Sequence, residues 1–175
     1  MEPDRESRFV AIHHDYYPSI YAFIQRRVND HEASQELAAD VFRIVWQKWD
    51  GGQPNLPWLY SVARNLIGNT YRSRQRQLRL RHRLIEAEKT RDLTASLDGR
   101  EENQNLVLET LECLKDRDRE LLQLAYWEEL SLAEIAVVLG ISANTAKVRV
   151  HRARQAFRRV LSGHAVQNNP EQMEA

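Results

Sequence analysis

One cysteine, Cys113, stands in 175 residues, so the chain can close no disulfide within itself. It falls in an apolar helical pattern with Leu111 and Leu114 and is expected to be a core thiol. Only 6 glycines and 5 prolines occur, which excludes collagen-like and low-complexity architectures. No apolar run approaches the roughly 18 residues that a membrane helix needs, and the opening MEPDRESRFV has no apolar signal core. No membrane insertion is therefore expected, and the cytoplasm is the expected location. The 6 histidines do not pair with acids or with Cys113 at metal-ligand spacings, so no metal is expected. A Gly-rich phosphate loop is missing, as is any arrangement of nucleophile, base and orienting group. Neither an enzyme, nor a cofactor, nor a small-molecule substrate is expected.

Net charge is missing too, since 25 basic residues balance 25 acidic ones. The total hides a segregation. Arg64, Arg72, Arg74, Arg76, Arg79, Arg81, Arg83, Lys89 and Arg91 face only Glu86 and Glu88 within their stretch, while Lys147, Arg149, Arg152, Arg154, Arg158 and Arg159 run with no acid among them. The compensating acids lie in 30–50 and 101–134. Two cationic stripes on an otherwise acidic body point to nucleic acid. A solvated helix face would account for either stripe alone, so the motifs have to decide.

Hydrophobic residues are 42% and charged residues 29%, which suits a soluble, helix-rich chain. Phe9, Ile12, Tyr16, Ile20, Phe23, Ile24 and Val28 recur at helical spacing, with Pro18 expected to divide or kink the helix. A second helix, capped by Asp30 or Ser34, carries Leu37, Ala38, Val41, Phe42, Val45, Trp46 and Trp49 until the loop GGQPNLP stops it. A third begins near Pro57 and runs through Trp58, Leu59, Val62, Ala63, Leu66, Ile67 and Tyr71 into the arginine-rich stretch. From about Ser73 the apolar period fades into a charged connector, and a second core then gathers Leu106, Leu108, Leu111, Leu114, Leu121, Leu122, Leu124, Ala125 and Trp127. No alternating strand pattern is present. The expected fold is all-α: two small helical domains joined by a charged linker, with boundaries at 5–76, 77–104 (linker), 105–163 and 164–175 (tail).

The most specific local signal runs from Ser131 to Arg154. Ser131 followed by Glu134 is a capping box that opens a helix, with Ile135, Ala136 and Leu139 facing inward. Gly140 ends it four residues after the small Ala136, the spacing that lets two helices approach and turn sharply, and Ser142 caps the next helix. In that helix Ala146, Val150, Ala153 and Phe157 form the expected buried stripe, leaving Asn144, Lys147, Val148 and His151 on the face away from the core, free to enter a major groove. Recognition helices read base edges through their first turns while flanking arginines neutralise phosphates, and the order of residues here matches. A second signal interleaves Trp58, Tyr60, Asn65, Asn69 and Tyr71 with Arg64, Arg72 and Arg74. Such a surface suits single-stranded DNA, whose bases stack on aromatics and bond to amides while arginines follow the backbone. Trp58 and Tyr71 also fit core positions at helical spacing.

Together these segments resemble the extracytoplasmic-function branch of the sigma-70 family of bacterial RNA polymerase sigma factors, from about Phe9 to Leu161. Tyr17-Pro-Ser-Ile-Tyr-Ala-Phe-Ile-Gln-Arg-Arg27 resembles the opening helix pair. Glu36-Leu-Ala-Ala-Asp40-Val-Phe42-Arg-Ile-Val-Trp46 resembles the helix that docks on the polymerase clamp. The resemblance implies core-polymerase contacts at Glu36, Asp40, Phe42 and Arg43, minus-ten contacts at Trp58, Asn65, Asn69, Arg72 and Arg74, and a flipped base held by the loop 51–57. It also implies minus-thirty-five contacts at Asn144, Thr145, Lys147, Val148, Arg149, His151 and Arg152. The implied partners are promoter DNA, the clamp helices and flap of core RNA polymerase, and an anti-sigma factor. The chain departs from the family in having Ala39 where a glutamine is usual, Lys115 where proline is frequent, and a short, glycine-rich minus-ten loop. The rival reading is a helix-turn-helix regulator that binds duplex DNA without polymerase, which leaves the Trp58 to Arg76 segment without a task.

Overall fold

The computed structural model describes residues 4–52, 54–84 and 102–167, except for the side chains of 73–84, 102–105 and 164–167. Among the described residues there are seven helices and no strand, as the all-α expectation required. The chain divides into two compact units, Met1–Glu88 with Val137–Gly140, and Lys89–Ala136 with Ile141–Ala175.

In the first unit α1 (Arg5–Val28), α2 (His31–Lys48) and α3 (Leu56–Leu84) pack on one another pairwise. Pro18 lies inside α1, so the expected division into two helices does not occur. A proline in a helix interior costs about 3 kcal/mol. The same helix buries Ile12, Ile20, Phe23 and Ile24, each contributing roughly 1.5–3 kcal/mol, so packing outweighs the lost backbone bond. The helix ends at Asn29, whose φ of 52° is tolerated by a short polar side chain and whose N–H reaches Gln25 O at 2.9 Å.

Asp30 then caps α2, accepting from Ala33 N–H at 2.8 Å. Ser34, the other candidate cap, is buried and donates back to Asp30 O at 2.6 Å. Leu37, Ala38, Val41, Phe42 and Val45 form the buried stripe of α2, as Leu59, Tyr60, Ala63 and Ile67 do for α3, where the three helices pack together. Asn55 caps α3 through Trp58 N–H at 2.9 Å, and Pro57 sits in the first turn, where its missing N–H costs nothing. α3 continues to Leu84, so residues 77–84 of the expected linker are helical: the stretch is rich in Arg, Gln and Leu and contains no breaker. The remainder of that linker up to 101, and the tail beyond 167, lie outside the described residues.

The second unit holds α4 (Glu102–Glu112), α5 (Asp116–Tyr126), the Leu132–Ala136 part of α6 (Leu132–Leu139) and α7 (Ala143–Gln167), with α7 packed on both α4 and α5. Its buried residues include Leu111, Leu114, Leu121, Leu122, Leu124, Ile135, Ala136, Ala146, Val150 and Ala153. The α4 to α5 turn is tied by Arg119, whose guanidinium donates to the carbonyls of Leu111 (2.8 Å), Glu112 (2.8 Å) and Leu114 (3.2 Å). Those are carbonyls that a helix end leaves unsatisfied. Cys113 is exposed in this turn rather than a core thiol, because the chain leaves the helix at Glu112 and the inward positions fall to Leu111 and Leu114. Trp127 is exposed as well, at the end of α5.

Candidate nucleic-acid interface

Three surfaces carry the residues singled out by the sequence. The first is the α6–turn–α7 hairpin. Ser131 N–H donates to Glu134 Oε2 at 2.8 Å and Glu134 N–H to Ser131 Oγ at 3.3 Å, the reciprocal capping box. The Ser131 backbone N–H, and then its hydroxyl, hold the Glu134 carboxyl below its ordinary value. At the far end Gly140 takes φ +63°, with Gly140 N–H on Val137 O (3.3 Å) and Ile141 N–H on Ala136 O (3.0 Å). That pair of bonds is a Schellman closure, and it needs a left-handed residue at that position. Ser142 Oγ then accepts from Thr145 N–H at 3.1 Å and shares a 2.8 Å bond with the Thr145 hydroxyl. Both helix ends are fixed, so the start of α7 is held at a defined place.

On α7, Ala146, Val150 and Ala153 are buried and Phe157 is half-buried. On α6 Val138 is buried and Leu139 half-buried. Asn144, Lys147, Val148, His151 and Arg152 are exposed, and Val148 presents 48% of its surface. Thr145 and Arg149 are half-buried at the flanks. An exposed face of polar readers with an apolar Val suits base edges and a thymine methyl, and the flanking guanidinium suits a phosphate.

The second surface is one face of α3. Asn65 and Asn69 are exposed four residues apart, with Trp58 half-buried toward the start of the helix and Arg72 exposed beyond. Arg72 donates to Asn69 Oδ1 (3.2 Å) and to Gly68 O (3.1 Å), so the Asn69 amide is pre-oriented. Tyr71 is 57% exposed, whereas Tyr60 is buried and stacks on Phe23 with ring centroids 4.6 Å apart. Tyr60 is therefore part of the core, not of the stacking surface. Arg74 lies on the same helix with its side chain outside the described residues.

The third surface is the outer side of α2. Glu32, Glu36 and Asp40 follow at four-residue intervals, Glu32 and Glu36 exposed and Asp40 half-buried; Asp40 pairs with Arg43 at 3.0 Å. Phe42 does not join them: it is 3% exposed and packs on His13 and Tyr17 of α1, with centroids 4.6 and 6.1 Å away. Its place is beneath the acidic ridge, holding α2 against α1. Among the described residues no group of His, Cys, Asp and Glu could hold a metal, and no helix is long and apolar enough to cross a membrane.

Sequence reasoning passed over Arg5 and Arg8. Arg5 lies 4.4 Å from the Trp46 ring centroid and donates to Trp46 O at 2.9 Å. Arg8 lies 5.4 Å from the Trp49 ring and donates to Gly51 O. The readable signal was the pair Trp46 and Trp49 before two glycines, since aromatic faces at a helix end invite cations.

Residues 12–77 match the family described as Sigma-70 region 2, and residues 104–157 match Sigma-70, region 4. RNA polymerase sigma factor SigZ of Bacillus subtilis (strain 168) is 29% identical over 162 residues, covering 85% of this chain and 84% of that protein. The ECF RNA polymerase sigma factor SigW of the same organism is 27% identical over 172 residues, covering 89% and 90%. Among solved structures, sigma factor RpoE in complex with the anti-sigma factor NepR from Bartonella quintana is similar with a TM-score of 0.64 at 25% identity, covering 89% of this chain and 97% of that one.

Proposed function

The chain belongs to the sigma-70 family, as an RNA polymerase sigma factor of the extracytoplasmic-function type, and from that membership we propose how its surfaces divide the work of initiation. The acidic ridge of α2, with Glu36, Asp40 and Arg43, docks on a basic surface of core polymerase, and Phe42 supports it from below. The α3 face of Trp58, Asn65, Asn69, Arg72 and Arg74 receives the unpaired minus-ten strand. The α7 face of Asn144, Thr145, Lys147, Val148, Arg149, His151 and Arg152 enters the minus-thirty-five major groove. The two domains that do this are 5–76 and 105–163; of the stretch 77–104 between them, 77–84 continue α3 and 102–104 open α4.

The observation that carries the proposal is the exposed Asn65, Asn69 and Arg72 row on α3. A regulator that reads only duplex DNA through α7 has no use for a second polar face suited to unpaired bases. The protein acts in the cytoplasm as an initiation factor, without chemistry of its own. RpoE from Bartonella quintana is held by an anti-sigma factor, and this chain is expected to have an anti-sigma partner as well.

Addition of the protein to sigma-free core RNA polymerase tests the reading: promoter-specific transcripts are expected. Failure to associate with core, or transcription no different from core alone, would overturn it.

A further inference from the structure

We propose that the first turns of α1 set the minus-ten preference without touching DNA: Arg8, together with Trp49, holds the Gly51–Gly52 backbone in the one shape that captures an unpaired base. The inference rests on the minus-ten reading given above, and it names positioning residues for that recognition.

Two adjacent glycines have the widest backbone freedom any dipeptide can have. Left alone, such a loop samples many shapes, and a base captured by it must bear the ordering cost each time. Here the loop is tied at consecutive carbonyls. Arg8 of α1 donates to Gly51 O, the indole N–H of Trp49 donates to Gly52 O, and the Asp50 carboxylate accepts from Gly52 N–H at 3.0 Å. Gly51 sits at φ +92°, a conformation closed to ordinary side chains. Of the two donors Arg8 is exposed and Trp49 is held in place. Trp49 is only 8% exposed, with the Phe9 ring 6.5 Å away and the guanidiniums of Arg8 and Arg5 at 5.4 and 5.9 Å.

The Trp49 and Asp50 bonds close a local turn at the end of α2, and the Arg8 bond alone reaches in from α1, 43 residues away in sequence. That one long-range bond registers the local turn to the packing of α1 on α2. Pro54 is buried. A Gly51–Gly52 backbone tied in this way can discriminate between bases, because a wrong base cannot be met by re-shaping it.

The test uses holoenzymes assembled with the wild-type chain, Arg8→Ala, Trp49→Phe and Gly51→Ala. Trp49→Phe keeps an apolar ring while losing the indole donor and some buried volume; Gly51→Ala alters the loop without touching the helix packing. Each is measured on forked promoter templates with every single-base change in the unpaired minus-ten strand, alongside minus-thirty-five duplex variants and core affinity. Wild type is expected to rank bases by about 5- to 150-fold at the captured position. The three variants should lower that ratio at least about five-fold at the same single position, with the minus-thirty-five ranking and core affinity unchanged. A wild type that ranks the templates while the variants rank them identically overturns the inference alone, as does an equal loss at every minus-ten position. A wild type that ranks no minus-ten base overturns the underlying reading and the inference with it.

Discussion

Glu134 shows how one side chain ties the recognition hairpin to pH. Its carboxyl is held below the ordinary value of 4.5, first by the Ser131 backbone N–H and then by the Ser131 hydroxyl. A depressed carboxyl contributes stability that is complete above the unfolded value and is lost as pH falls through the folded one. The α6 cap should accordingly weaken only as pH drops below about 4.5. Ser131→Ala should cost roughly 1 kcal/mol at neutral pH, the usual worth of an N-cap. Glu134→Gln can still make the reciprocal bond, so it should change neutral stability less and flatten the acid limb. Urea unfolding followed by circular dichroism at pH 7 and at pH 3.5 checks both; an unchanged acid limb in Glu134→Gln would refute the assignment. Lys147 and Arg149 give a second residue-level prediction. Side chains two positions apart on a helix point about 200 degrees apart, and here Lys147 is exposed while Arg149 is half-buried at the flank. Lys147→Ala should flatten preference at particular minus-thirty-five positions by about 1–3 kcal/mol. Arg149→Ala should weaken all sequences about equally and lower the salt slope by roughly one unit. Matching specificity profiles for the two variants would contradict this.

At the scale of elements, α3 carries the minus-ten prediction. Asn65 is exposed on a helix whose inward side is Leu59, Tyr60, Ala63 and Ile67, so its amide is not needed for packing. Asn65→Ala should reduce open-complex formation and leave duplex binding intact, measured on bubble and duplex templates side by side; equal losses on both would make Asn65 structural. The helices themselves were legible because apolar spacing and caps coincide: Asp30, the Ser131–Glu134 box, Gly140 and Ser142 stand where the pattern places them. What was not legible depended on energies that compete across elements. Pro18 should break α1 by local rule, and the buried Ile12, Ile20, Phe23 and Ile24 override it. Cys113 fits the apolar period, but the helix stops one residue short of it. Phe42 and Tyr60 sit within motifs that suggest surfaces, and each is buried by a partner on α1: His13 and Tyr17 for one, Phe23 for the other. Arg5 and Arg8 reach across 41 and 43 residues of sequence, a separation that no local pattern reports.

For the whole molecule, a net charge of +0 conceals a segregation of acids from bases, which the proposed function divides between polymerase and DNA. If that division is the working principle, attachment to core and recognition of DNA should be separable by single substitutions. Asp40 is the place to separate them. Its pair with Arg43, at 3.0 Å with side chains 46% and 60% exposed, is a surface ion pair, and such pairs contribute 0–1 kcal/mol (about the range measured for exposed pairs). Reversing that charge therefore puts little folding energy at risk. It does place a cation in a ridge with Glu36 and Glu32, where a basic partner surface would meet repulsion instead of attraction, and like charges across an interface cost several kcal/mol. Asp40→Lys should keep its helical circular dichroism and its melting temperature within a few degrees, and lose core binding by at least about ten-fold. It should also fail on pre-melted templates, because without core no later contact is available, whereas Lys147→Ala should still use them. An Asp40→Lys protein that binds core as wild type does, with its fold intact, would place the docking surface elsewhere than on α2.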